Sequence, residues 1–172
     1  MLNVGECVIY VSHVLCKVRD ILVPAFLEKG TEKQYYMMIS AVDAGSVIYV
    51  PVEGAEDKVR DVMSADDAEG LICDIEDVDE LELPEGKKAE PEITGIIKRN
   101  LADEMMSLVK ALHKIKATRE AEGKKFASLN ERYLNMAEKL LYTEMAFSLK
   151  TEREAIKSRV KEELARLLYE TV

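Results

Sequence analysis

The first third of the chain carries its apolar residues in short dense runs, and the last half carries them at helical spacing. Glu6-Cys7-Val8-Ile9-Tyr10-Val11 and Val14 to Leu22 are rich in β-branched and aromatic residues and poor in helix formers, a strand composition. Gln34 to Val42 and Ser46 to Val52 repeat that character, separated by the turn signal Asp43-Ala44-Gly45. Glu28-Lys29-Gly30-Thr31 marks another turn. Four or five short strands with tight connections predict a small barrel or sandwich. Pro51 has no N–H to give a ladder, so its strand lies at an edge or ends there. Such an edge is a template for a partner strand.

The pattern changes at Ser64. Ser64-x-x-Asp67 predicts the start of a short helix running toward Ile72. Residues 74–92 are acidic, with Pro84, Gly86 and Pro91 as breakers, and read as a linker. Beyond them Leu101, Met105, Leu108, Val109, Leu112 and Ile115 follow i, i+3/i+4, i+7 spacing, with Asn100-x-x-Asp103 as the cap. Gly123 is placed to end that helix. Ser128-Leu129-Asn130-Glu131 reads as a capping box for a second helix, whose inner face holds Leu129, Tyr133, Met136, Ala137, Leu140 and Leu141. Thr151-Glu152-Arg153-Glu154 repeats the device before a third helix with Ile156, Val160, Leu164, Leu167 and Leu168. Three such helices can bury one another's stripes. The expected fold class is α+β multidomain: a β module over 1–63, a short helix and acidic linker over 64–92, and an all-α module over 93–172.

Composition narrows the setting. Of 172 residues 48% are apolar and 33% charged, a globular balance. No apolar run reaches 18 residues, and Met1-Leu2-Asn3-Val4-Gly5-Glu6 lacks the basic start of a signal peptide, so neither a membrane partner nor export is expected. Cys7, Cys16 and Cys73 are odd in number and show no C-x-x-C spacing, which fits a cytoplasmic protein without disulfide framework or thiolate metal site. The net charge of −9 is unevenly spread: residues 1–90 hold 8 Lys/Arg against 20 Asp/Glu, and residues 91–172 hold 16 against 13. Twelve of the acids fall in 64–92. An acidic chain is a poor DNA binder on its own, because phosphate attraction supplies much of that affinity.

Nothing in the sequence points to catalysis, a cofactor or a small-molecule substrate. The two histidines, His13 and His113, stand in different modules, and no nucleophile elbow, zinc-protease motif or phosphate-cradling loop occurs. The carboxylates of 74–82 lack the order of a calcium loop, so no metal is expected. The methionines read as core filler. Lys110, Lys114, Lys116, Arg119, Lys124 and Lys125 cluster late in the first long helix and just past it; they read as a solvated face suited to a helix C-terminus, or as phosphate contacts.

Several segments, in order along nearly the whole chain, carry a resemblance. Gly5-Glu6-Cys7-Val8-Ile9-Tyr10 with His13 resembles the opening strand of CarD/CdnL-like transcription regulators. Tyr35-Tyr36 followed by Ser46-Val47-Ile48-Tyr49-Val50-Pro51-Val52 resembles that family's strand pair, and Val59-Arg60-Asp61-Val62 the segment after it. Arg119 to Lys125, Glu131-Arg132-Tyr133-Leu134 and Ala137 to Glu144 are similar to versions of the family from Gram-positive anaerobes.

The resemblance implies a Tudor-like (SH3-like) barrel that docks on the RNA polymerase β subunit, here through Val47, Ile48, Tyr49, Val50 and Pro51. It also implies a helical C-terminal domain that meets promoter DNA and stabilises the open complex without catalysis. The positions matching its basic contacts are Lys98, Arg99 and Arg132, with Lys124 and Lys125 as neighbours. The family's tryptophan wedge has no counterpart, because the chain contains no tryptophan, and a basic residue often found before the V-P pair is Tyr49. The alternative expectation is an adaptor that binds polymerase or another protein but no nucleic acid.

Overall fold

The computed structural model describes residues 1–10, 15–43 and 45–169. Val11, His13, Val14 and Ala44, named above, lie outside the described residues. The chain divides into two compact units, Met1–Val62 and Met63–Val172.

In the first unit β1 (Cys7–Tyr10), β2 (Leu15–Leu22), β3 (Tyr35–Ser40), β4 (Val47–Pro51) and β5 (Val59–Asp61) form one antiparallel sheet in the order β4-β3-β2-β1-β5. Period-2 alternation sends Val8, Cys16, Val18, Tyr36, Met38 and Val50 into a single core. A bulge between Val18 and Asp20 leaves Arg19 out of register. The expected barrel is not closed: β4 and β5 are the two ends of an open sheet. The strand that would close it, β5, spans only three residues and pairs with β1.

The second unit contains α1 (Ala65–Cys73), α2 (Glu90–Arg99), α3 (Ala102–Ala121), α4 (Ser128–Ser148) and α5 (Arg153–Tyr169) around one apolar core. The layout is therefore α+β, a sheet followed by helices. Gly123, at φ 70, closes α3 as expected: its N–H reaches Glu120 O at 3.0 Å and Lys124 N–H reaches Arg119 O at 2.8 Å. Among the described residues no helix is long and apolar enough to cross a membrane.

Several sequence expectations give way here. The short helix expected from Ser64 forms as α1, but residues 74–92 are not a solvated linker. Ala68, Ile72, Ile75 and Ala89 are buried in the same core as α3–α5, and Val78, Leu81 and Leu83 pack against it. Pro91 is not a breaker; it sits in the first turn of α2, where its missing N–H costs nothing. Asn100 does not cap α3. Its left-handed backbone (φ 50, ψ 43) ends α2, with its N–H on Ile96 O at 3.0 Å, and Leu101 precedes α3. Ser128 is the first residue of α4 rather than its cap. Leu101 and Met136, expected on inner faces, are 44% and 42% exposed.

Candidate docking edge and basic residues

The strand Val47–Pro51 ends the sheet and, among the described residues, pairs as a strand with β3 alone. Its flanking hydrogen bonds fix which backbone groups face outward. Ser40 N–H donates to Ser46 O at 3.1 Å, and Val52 N–H donates to Gln34 O at 3.0 Å. Antiparallel pairing alternates, so Ile48 and Val50 turn their amides toward β3, while Val47, Tyr49 and Pro51 turn theirs away. Val47 and Tyr49 thus each offer an outward N–H and C=O, and Pro51 offers a C=O alone.

Side chains follow the same parity. Val50 is buried and Ile48 packs against the core. Val47, Tyr49 and Pro51 stand on the other face, opposite Ile39, Met37 and Tyr35 of β3. An antiparallel sheet with one wet face ordinarily alternates apolar with polar residues. Here neither β3 (Tyr-Tyr-Met-Met-Ile-Ser) nor β4 (Val-Ile-Tyr-Val-Pro) contains a charge, so both faces are apolar. The opposite edge differs: β5 carries Arg60 and Asp61 in three residues, the usual way of blunting an edge.

Phe26, in the turn after β2, lies over this outer face although 65% exposed. Its ring meets Tyr49 edge-on at 5.3 Å and Tyr35 at 6.1 Å between centroids. Reading the strands alone misses Phe26. The absence of charge from both faces of β3 and β4 is the signal that something apolar belongs beside them. A groove of about 860 Å³, lined by Val23, Tyr35, Pro51 and Val52 together with the charged Glu32, Lys33 and Glu53, continues from the patch.

The five basic positions singled out in the helical unit do not converge. Lys98 and Arg99 end α2, next to the start of α3. Lys124 and Lys125 follow its end, and Arg132 lies in the second turn of α4. The twenty residues of α3 separate the two groups by about 30 Å along its axis. Two of the five are held by the chain's own carboxylates: Arg99 Nε meets Glu104 Oε2 at 2.7 Å, and Lys124 Nζ meets Glu122 Oε2 at 2.8 Å, lowering the Glu122 pKa. Arg132 lies over the Tyr133 ring at 5.3 Å, and the Tyr133 hydroxyl donates to Glu90 Oε1 at 2.6 Å.

Lys110 corrects the reading of the basic run as a solvated face. It is buried, with Nζ donating to Val78 O at 2.8 Å and Glu76 O at 3.1 Å and meeting Glu80 Oε1 at 3.1 Å. The Lys110 hydrogen bond holds the Glu80 carboxyl below its usual range. His113 belongs to a packed network: its Nε2 is 2.7 Å from Glu138 Oε1, and Glu138 also bonds Tyr142, whose hydroxyl pKa is pushed up chiefly by burial. Among the described residues no group of three or more His, Cys, Asp or Glu is placed to hold a metal. The buried Cys16 thiol is raised to about 11 by desolvation and then by Cys7.

Residues 2–63 match the family model of the CarD-like/TRCF RID domain. Among curated proteins none matches the chain.

Proposed function

With residues 2–63 forming a CarD-like/TRCF RID domain, the module of RNA-polymerase-interacting transcription factors, we propose that this chain docks on the polymerase β subunit by accepting a strand along Val47–Pro51. From there it modulates open-complex formation at promoter DNA. One observation carries the docking half of this reading. The β4 edge is five residues long, uncharged and unpaired among the described residues, whereas the other edge of the sheet is short and charged. Backbone donors and acceptors at Val47 and Tyr49 then supply affinity to any extended segment of matching register.

The DNA half rests on Lys98, Arg99, Lys124, Lys125 and Arg132. Their division into two groups and the internal pairing of Arg99 and Lys124 favour a second reading, in which the helical unit is a protein-binding adaptor. Phosphate contacts made by such residues would steepen the salt dependence of DNA retention.

Both readings meet one experiment. Val47→Pro removes an outward donor at the first residue of a strand, a position that tolerates proline. It is expected to weaken capture of purified core polymerase about tenfold, the worth of roughly one good hydrogen bond. Unchanged affinity overturns strand addition at β4. Charge reversal at Lys98 with Arg99, and separately at Lys124 with Lys125, is expected to release promoter DNA from the polymerase complex. If both double variants retain DNA as the parent does, the adaptor reading replaces the DNA-contact reading.

A further inference from the structure

We infer that the outer face of the β3–β4 pair, roofed by Phe26, is a specificity patch, and that the incoming strand presents an aliphatic or aromatic side chain, not a charged one, beside Tyr49. The inference rests on the docking reading above and adds the partner's chemistry to it.

Three observations lead there. Antiparallel geometry puts Tyr35↔Pro51, Met37↔Tyr49 and Ile39↔Val47 in non-hydrogen-bonded register, where side chains come closest across a pair. Their side chains therefore form a continuous apolar surface that reaches the free rim of the sheet. Phe26 then extends it beyond the strands, making edge contacts with both Tyr35 and Tyr49 while two-thirds exposed. A large aromatic held over other aromatics yet left open to water is an interaction feature, not a core one.

The outward backbone groups at Val47 and Tyr49 select the occupant's conformation, because only an extended segment can pair with alternate residues of a strand. A strand added there places every second side chain on the outer face, and the one beside Tyr49 falls against the Phe26 ring. A charged group there would lose hydration and find no opposite charge on β3 or β4; charged side chains lie beyond them, at Lys17 and Asp20 of β2 and at Glu32, Lys33 and Glu53 along the adjoining groove. An apolar side chain loses nothing by desolvation and gains the aromatic contact.

The test uses the full chain and purified cognate core RNA polymerase, with affinity measured at about 0.1 M and about 0.5 M salt, a range over which charge-driven contacts fade. Phe26→Ala is expected to weaken binding roughly tenfold, by the same factor at both salt concentrations. Phe26→Leu keeps an apolar cover and should stay within about threefold of the parent. Circular dichroism and melting temperature should be unchanged in both, because the ring is mostly exposed. If Val47→Pro weakens binding and Phe26→Ala does not, the patch is overturned and strand addition stands. A Phe26→Ala loss that vanishes at high salt overturns the apolar assignment. If neither Val47→Pro nor Phe26→Ala changes affinity, strand addition falls and the patch falls with it.

Discussion

Replacing Lys110 by alanine is expected to lower the unfolding free energy by about 3 kcal/mol, although a surface lysine in a helix costs almost nothing to remove. Lys110 is not on the surface. Its ammonium is shared between two backbone oxygens, Glu76 O and Val78 O, and the Glu80 carboxyl. Alanine removes that donor from both carbonyls together with the packing of the lysine stem. Lys110→Met, which restores most of the stem, isolates the lost hydrogen bonds and should recover less than half of the deficit. Urea unfolding followed by circular dichroism measures both, since the chain has no tryptophan to report. Hydrogen exchange should rise first at residues 76–80. A midpoint unchanged in Lys110→Ala would contradict the assignment.

The same contact sets a pH dependence. Glu80 has a folded pKa below its ordinary 4.5, because Lys110 hydrogen-bonds its charged form. A lowered folded value means its contribution is complete above the unfolded pKa and is lost as pH falls through the folded one. Acid unfolding of Lys110→Met should therefore lack this component.

Glu144→Ala is expected to cost a similar amount, about 3 kcal/mol, for a different reason. Glu144 is 2% exposed on α4, and its Oε1 accepts the Met63 N–H at 2.9 Å. Ser148, one turn on, donates its hydroxyl to Met63 O at 2.7 Å. Both backbone groups of the first residue of the helical unit are thus satisfied by α4 side chains. Alanine strands the amide and opens a cavity, two penalties that add at a buried position. Ser148→Ala alone should cost less, because its partner is a carbonyl with a second lone pair. The double variant should fall short of the sum, since both side chains serve one residue. Additive losses in chemical denaturation would show that the two bonds act independently.

How far the fold can be read in the sequence depends on how crowded the signal is. Strands Cys7–Tyr10 to Val47–Pro51 announce themselves because β-branched and aromatic residues are concentrated between turn residues. The terminal position of β4 is foreshadowed by Pro51, whose chemistry forbids a neighbour on its N–H side. The helical unit is legible where its stripe is dense, as in Met105, Leu108, Val109 and Leu112. It becomes illegible where apolar residues are sparse among acids. Ile72, Ile75, Val78 and Leu81 recur every three residues, a spacing that threads a folded segment through what looks like a solvated tract. Asn100-x-x-Asp103 reads as a helix start, yet the left-handed backbone of Asn100 makes it the end of the preceding helix, which side-chain type alone does not reveal. The candidate docking surface was half visible: β4 could be named, whereas Phe26 reaches it through a turn that strand periodicity does not describe.

An unprotected row of amides and carbonyls is indifferent to the origin of the peptide that zips onto it, and another copy of this protein carries the same row. The net charge of −9 on each copy opposes such pairing. That protection vanishes near the isoelectric point of about 4.9, where concentrated samples lose their colloidal repulsion while the sticky rim remains. Solubility of the unbound protein is thus tied to the acidity of its surface.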